Sequence, residues 1–139
     1  MGFREIAHIA GSAMTAQSTR LNTVASNLAN ANAAASSETE AYKARKPVFA
    51  AVMGESTLES YAARVQVLDV LETTEPVRKV HEPENPVADA AGFVYYSNVN
   101  TVAEMTDMMS ASRAFETNVE VLGRVRSMQQ SLLRLGEQS

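Results

Sequence analysis

A chain of 139 residues that is 45% apolar has the size of one domain with a modest core, and it is too apolar to be disordered by composition. The absence of cysteine removes disulfides, thiolate metal sites and thiol nucleophiles. With a net charge of −4 and no basic run denser than "KARK" at 43–46, the chain offers no nucleic-acid surface; no apolar run is long enough to span a membrane, so neither partner is expected.

The first segment, "MGFREIAHIAGSAM", places Glu5 and His8 inside what would be the apolar core of an export signal, so it is read as uncleaved sequence. From residue 3 to 31 the pattern is helical. Phe3, Ala7, Ala10, Met14, Gln17, Leu21, Val24, Leu28 and Ala31 alternate spacings of four and three, a heptad seam held for about four heptads with Gln17 as its one polar member. Met14, Gln17, Leu21, Val24 and Leu28 are expected to meet a helix of the same chain. Ile6 and Ile9 lie off this line and widen the apolar face beyond what one partner covers, so they are expected to meet a neighbouring subunit. Gln17 is expected to set register by bonding across the helices. The helix closes on "VASNLANAN" (24–32), where Asn27, Asn30 and Asn32 compete with the helical backbone and tolerate left-handed conformations.

Residues 32–46 are small and polar and read as a loop. "PVFAAVM" (47–53) and "ARVQVLDVLE" (63–72) have strand character, and "VRKVHE" and "GFVYYS" add two short candidates. Pro76, Pro83 and Pro86 confine these strands to short or edge roles, and "EPENPVADAAG" reads as a turn in which Pro86 holds Asn85 extended and Gly92 closes a bend. A second long helix is expected over about 101–135. Met108, Ala111, Phe115, Asn118, Leu122, Val125, Leu132 and Leu135 repeat the 3–4 spacing, while Val119 and Val121 flank the seam and are expected at inter-subunit contacts. Phe115, Leu122 and Val125 are its expected intra-subunit seam. The reading is therefore an α+β fold of three parts: an N-terminal helix (1–32), a loop with a small β-rich insert (33–100), and a C-terminal helix (101–139). The two helices pair as a coiled-coil-like hairpin.

Catalysis has no foothold in this pattern. His8 and His81 are the only histidines and lie in different segments, so no shared metal site is expected. Glu82, Glu84 and Asp89 lack the glycine and alternating ligands of a calcium loop and read as solvated turn charges. Ser12, Ser110 and Ser112 have no His/Asp partners at useful spacing, and there is no Gly-rich phosphate loop; no cofactor is expected. Met105, Met108 and Met109 sit at helical spacing and read as packing residues. Acidic Glu104, Asp107, Glu116 and Glu120 lead the second helix and basic Arg113, Arg124, Arg126 and Arg134 trail, an order that suits the helix dipole and reads as a solvated face.

"IAGSAMTAQSTRLNTVASNLANAN" (9–32) and "EPENPVADAAGFVYYSNVNTVAEMTDMMSASRAFETNVEVL" (82–122) resemble the bacterial flagellar basal-body rod family, in its proximal-rod type. The residues carrying the family motif are Ser26, Asn27, Leu28, Ala29, Asn30, Asn85 and Pro86. The stretch "AAASSETEAYKARKPVF" departs from the family pattern, which has Thr or Asp-Ser soon after the last Asn and often Gly-Pro before the tyrosine. The resemblance implies a structural subunit without catalysis, exported by the flagellar type III apparatus without a cleaved signal. It would stack helically with itself and with rod proteins of the FlgB, FlgF, FlgG and FliE types into the drive shaft crossing the periplasm. A closed coiled-coil adaptor or chaperone would use the same seams; heterologous contacts that do not close distinguish the shaft from it.

Overall fold

In a computed structural model that describes residues 2–53 and 63–137, two terminal helices flank a small antiparallel β region. The order is α1 (Phe3–Ala29), β1 (Ala34–Ala35), β2 (Arg45–Met53), β3 (Ala63–Glu72), β4 (Arg78–His81), β5 (Phe93–Tyr96) and α2 (Thr101–Glu137). Both expected helices and all four expected strands are present within two residues of their sequence limits. β1 lies inside the stretch read as a loop; two alanines carry no alternation, and they enter a sheet only by pairing with Tyr95 and Tyr96. Part of the expected insert, 54–62, lies outside the described residues.

Helix ends follow local chemistry. Glu5 reaches back to accept the Gly2 N–H at 2.8 Å, and the Asn100 side chain accepts from Ala103 N at 3.2 Å to open α2. At the exit of α1 the sequence argument needs correction. Asn30 takes φ −105 and ψ 7 rather than a left-handed turn, and its side-chain amide donates to the Ser26 carbonyl at 2.8 Å. The Ser26 carbonyl thus takes both the backbone N–H and the side-chain amide of Asn30, a cap at the last turn of the helix.

The helices run antiparallel, since Asn27 meets Glu104, Arg20 meets Asp107, Met14 lies with Phe115 and Leu122, and Phe3 lies with Met128 and Leu132. α2 therefore continues past the start of α1 by about 13 Å at 1.5 Å per residue. Among the described residues the buried apolar set is Ala10, Ala16, Val24, Ala31, Ala41, Ala44, Val94, Ala111 and Val125. Alanine dominates it, so backbones approach closely and little side-chain volume separates them.

α1 has a second, partly buried face that the heptad reading did not contain. Ser12, Ala16, Thr19, Thr23 and Ser26 recur every three or four residues on the side toward the β2–β3 hairpin. Ser12 Oγ accepts from Val65 N at 3.1 Å, and Thr19, Thr23 and Ser26 line a shared cleft with Arg45 and Val70. Hydroxyls can be buried there because the helix satisfies them: Ser12 donates to the Ile9 carbonyl, Thr19 to Thr15 and Thr23 to Thr19. An apolar-periodicity search passes over such a face.

The hairpin also guards its own edges. Both the N–H and the C=O of Arg45 bond to Asn27, so this residue points away from β3, and so does Pro47 two positions on. The missing N–H of Pro47 therefore breaks no ladder bond. Across from it, Val70 N is capped by Asp69 at 2.7 Å, and Leu68 is the extra residue of a bulge between the Val48–Asp69 and Phe49–Val67 pairs. The remaining strands form a second sheet in the order β1-β5-β4.

Ala111 is fully buried on α2, so enlarging it tests the close approach. Ala111→Leu is expected to lower unfolding free energy by about 1–3 kcal/mol through overpacking, read from the urea midpoint.

Candidate functional site

Asn27 occupies the point where α1, α2 and the β region converge, and it is fully buried. Its Nδ2 donates to the Arg45 carbonyl at 2.8 Å and to Glu104 Oε2 at 3.0 Å; its Oδ1 accepts from Arg45 N at 2.9 Å and from the Tyr42 hydroxyl at 3.0 Å. Two donors and two acceptors are the complete hydrogen-bonding capacity of a carboxamide used in this way, so nothing on the side chain is left unpaired. Glu104, read from sequence as part of a solvated face, is instead buried against this amide. Asp107, one turn on, is also not simply solvated: it forms a two-point ion pair with Arg20. Hydrogen bonding to Asp107, reinforced by its charge, raises the Arg20 pKa above its ordinary value.

Asn98 holds residue 44 by its N–H alone. Its Oδ1 accepts from Ala44 N at 2.7 Å, while its Nδ2 donates to Thr73 Oγ1 at 3.0 Å and to the Glu75 carbonyl at 2.8 Å. Thr73 N donates to the Ala44 carbonyl at 2.8 Å. The chain entering the hairpin is thus held by two asparagine side chains from the two ends of the sequence.

The turn before α2 is organised by its acids rather than merely carrying them. Glu82 Oε2 accepts from Asn85 Nδ2 at 2.9 Å and from the Tyr96 hydroxyl at 2.8 Å; Asn85 Oδ1 accepts from Val87 N at 3.0 Å. Asp89 Oδ1 accepts from both Ala91 N and Phe93 N at 2.9 Å. Bonds from Asn85 and Tyr96, helped by the charge of Arg78, lower the Glu82 pKa, and the Phe93 and Ala91 N–H groups, with Lys79 and Tyr95, lower that of Asp89. Gly92 closes the turn at φ +81, where a Cβ would stand 3.1 Å from both His81 Nε2 and Pro83 Cβ. Only glycine meets both conditions. Pro86 is exposed.

Of the expected intra-subunit seam, Val24 and Val125 are buried, and Met14, Gln17, Leu21, Leu28, Phe115 and Leu122 are half-buried. Met14, Phe115 and Leu122 line one groove with Gly11 and Thr15. The Oε1 of Gln17 is buried without a hydrogen-bond partner, so the polar links across the helices are made by Asn27–Glu104 and Arg20–Asp107 instead. Of the residues expected at neighbouring subunits, Ile6, Ile9 and Val121 are half-buried and Val119 is 45% exposed. In the motif, Ser26 Oγ lies 3.1 Å from the Tyr42 hydroxyl, Leu28 is half-buried and Ala29 is exposed. Met105 and Met109, read as packing residues, are more than half exposed, as are Val102, Leu132, Leu133 and Leu135. His81 packs edge-on to Phe93, and His8 is exposed on α1. Among the described residues no three His, Asp or Glu side chains group as a metal site, and no helix is long and apolar enough to cross a membrane.

Residues 8–34 match a family described as flagella basal body rod protein, and residues 90–135 match flagellar basal body rod FlgEFG protein C-terminal. The chain is 47% identical to the flagellar basal-body rod protein FlgC of Escherichia coli O6:H1 (strain CFT073), across 99% of this chain and 100% of that one. It is 45% identical, over the same shares, to FlgC of Salmonella typhimurium (strain LT2). With FlgC of Aquifex aeolicus (strain VF5) it shares 37% identity over 86% of this chain and 87% of that one.

Asn27→Ala is expected to destabilise the protein by about 3 kcal/mol or more, because the peptide group of Arg45 and the Glu104 carboxylate lose their partner. Asn27→Asp keeps the shape but sets a carboxylate against Glu104, so its stability deficit should shrink as the pH is lowered and the pair takes up a proton. Chemical denaturation of both variants at neutral and mildly acid pH separates these effects.

The turn makes a second pH prediction with the opposite sign. Folding depresses the pKa of Glu82 and Asp89 from ordinary values of 4.5 and 3.8, so their contribution is full above that range and is lost as pH falls through the lowered values. Glu82→Gln with Asp89→Asn should flatten the acid limb of the stability–pH curve.

Proposed function

The chain belongs to the FlgC family of flagellar basal-body rod proteins, and from that membership we propose that it is a structural subunit of the proximal rod. On this reading, copies stack helically with one another and with rod proteins of the FlgB, FlgF, FlgG and FliE types, forming the shaft that crosses the periplasm and transmits motor torque. The chain reaches this position through the flagellar type III export apparatus without cleavage of a signal. No step of this role is catalytic. The relatives are rod proteins by name, which lends no support to the closed-oligomer adaptor.

The observation that supports it best is the uncovered apolar surface of α2. Val102, Met105, Met109, Val119, Leu132, Leu133 and Leu135 each keep at least 45% exposure on an otherwise paired helix. Apolar surface left uncovered to this extent on a folded chain marks a surface made for another protein. The division of labour follows: residues 1–32 and 101–139 are the axial unit and 33–100 the outer insert. Within the axial unit the helices pair in coiled-coil manner through Met14, Gln17, Leu21, Val24 and Leu28 against Phe115, Leu122 and Val125. Ile6, Ile9, Val119 and Val121 meet neighbouring subunits, and Ser26 through Asn30 with Asn85 and Pro86 form the joints between axial helices and insert.

Val119→Asp puts a charge on the outer face without disturbing the protomer. The variant is expected to keep wild-type helix content and to be secreted, yet to be missing from isolated basal bodies, with loss of motility, because an unpaired charge is costly to bury in a subunit contact. Normal swimming would show that this face meets solvent and would remove the support it gives.

A further inference from the structure

Pairing within the hairpin leaves one strand edge open. The peptide groups of alternate residues along β2 point away from β3, starting with Arg45, which Asn27 holds, and Pro47, which has no N–H. The same alternation turns Phe49, Ala51 and Met53 outward. Val65, opposite Ala51, agrees with it, because its N–H donates to Ser12 instead of to β2. Among the described residues the backbone groups of Phe49, Ala51 and Met53 have no hydrogen-bond partner, and all three residues are exposed, Met53 at 71%. Free N–H and C=O groups recurring about 7 Å apart along a line fit one kind of occupant, an extended strand.

The open edge runs into a cleft of about 490 Å³ where β2 meets the two helices. Val24, Ala103 and Phe49 give it apolar walls. Its charges are met within the chain, with one exception. Asp107 is paired with Arg20, Glu104 is bonded to Asn27, and Arg45 lies 3.6 Å from Glu72. The ammonium of Lys46, exposed in the same cleft, has no ion-pair or hydrogen-bond partner among the described residues.

We propose that this edge receives an extended segment of a different protein, which adds a third strand beside Phe49, Ala51 and Met53 and sets a carboxylate against Lys46 in the cleft. A second copy of this chain does not supply such a segment. Its edge strand β4 carries Arg78 and Lys79, which would bring cations toward Lys46; β1 spans two residues, and the edge of β3 is turned to Ser12 of α1. The proposal rests on the rod-subunit reading and adds to it a partner bound through the main chain. In strand addition the backbone hydrogen bonds give affinity, and side chains such as Lys46 give the choice of partner.

Proline makes the test specific. At Ala51 it would remove only an outward N–H, as Pro47 already does on the same edge, and the β2–β3 ladder stays whole. Cells whose only copy carries the photocrosslinker p-benzoylphenylalanine in place of Met53 are irradiated, basal bodies are isolated, and linked peptides are identified by mass spectrometry. We expect one main product, joining this chain to a different basal-body protein through a segment that contains Asp or Glu. Adding Ala51→Pro, or separately Lys46→Glu, is expected to lower its yield about tenfold. A product with a second copy of this chain, or none while the chain is present in basal bodies, would overturn the proposal and leave the rod reading standing. A yield that neither substitution lowers would overturn it too; if the Ala51→Pro chain is missing from basal bodies, Lys46→Glu decides alone. Absence of the unsubstituted chain from basal bodies would instead overturn the rod reading and the docking with it.

Discussion

The four hydrogen bonds of Asn27 are the constraint on which the arrangement of the chain depends. Together they hold three parts: the two to the backbone of Arg45 set where the hairpin leaves, the one to Tyr42 fixes the approach to it, and the one to Glu104 fixes α2 against α1. A buried carboxamide is tolerable only when every donor and acceptor is met, because each unmet group carries its full desolvation penalty. Helix pairing and hairpin attachment are therefore not independent. Any shift of α2 along α1 that separated Glu104 from Asn27 would leave both buried and unpaired, so the register of the helices is tied to the placement of the insert.

Around this joint the structure substitutes closeness for bulk. Its buried apolar residues are mainly alanine, and the face of α1 toward the hairpin is a line of hydroxyls bonded to their own helix. Such surfaces bury less apolar area than leucine would, so polar links at specific points supply much of the specificity: Arg20 to Asp107, Ser12 to Val65, Asn98 to Ala44. The large apolar residues left over are exposed on α2 and on the β2–β3 hairpin, where Met53, Leu68 and Leu71 stand out. That distribution is the reverse of an isolated globular domain and agrees with a chain whose family works as part of a larger body.

Much of the fold was legible in the sequence. The 3–4 spacing from Phe3 and from Met108 gives both helices, and alternation gives β2 and β3, because periodicity reports which face of an element is apolar. Periodicity is silent about polar faces. It missed the hydroxyl line of α1, it treated Glu104 and Asp107 as solvated, and it made Gln17 the cross-helix polar contact that Asn27 and Arg20 supply. Asn27 itself was singled out, as part of a helix ending and of the family motif, but not as a joint between elements. Its partners Tyr42 and Arg45 lie within twenty residues but nothing in their spacing encodes a hydrogen bond to a side chain. Glu104 is further away still, and only the folded chain brings it near.

Asn27 grips the peptide group of residue 45 and not its guanidinium. A peptide group is the same whatever side chain is attached, proline excepted. The joint is therefore indifferent to the identity of the residue it holds, and the outer layer beginning there is free to change its surface chemistry without renegotiating its attachment. Variation in the sleeve and fidelity in the axis are thereby separated at a single amide, a modularity that comes from recognising backbone instead of side chain.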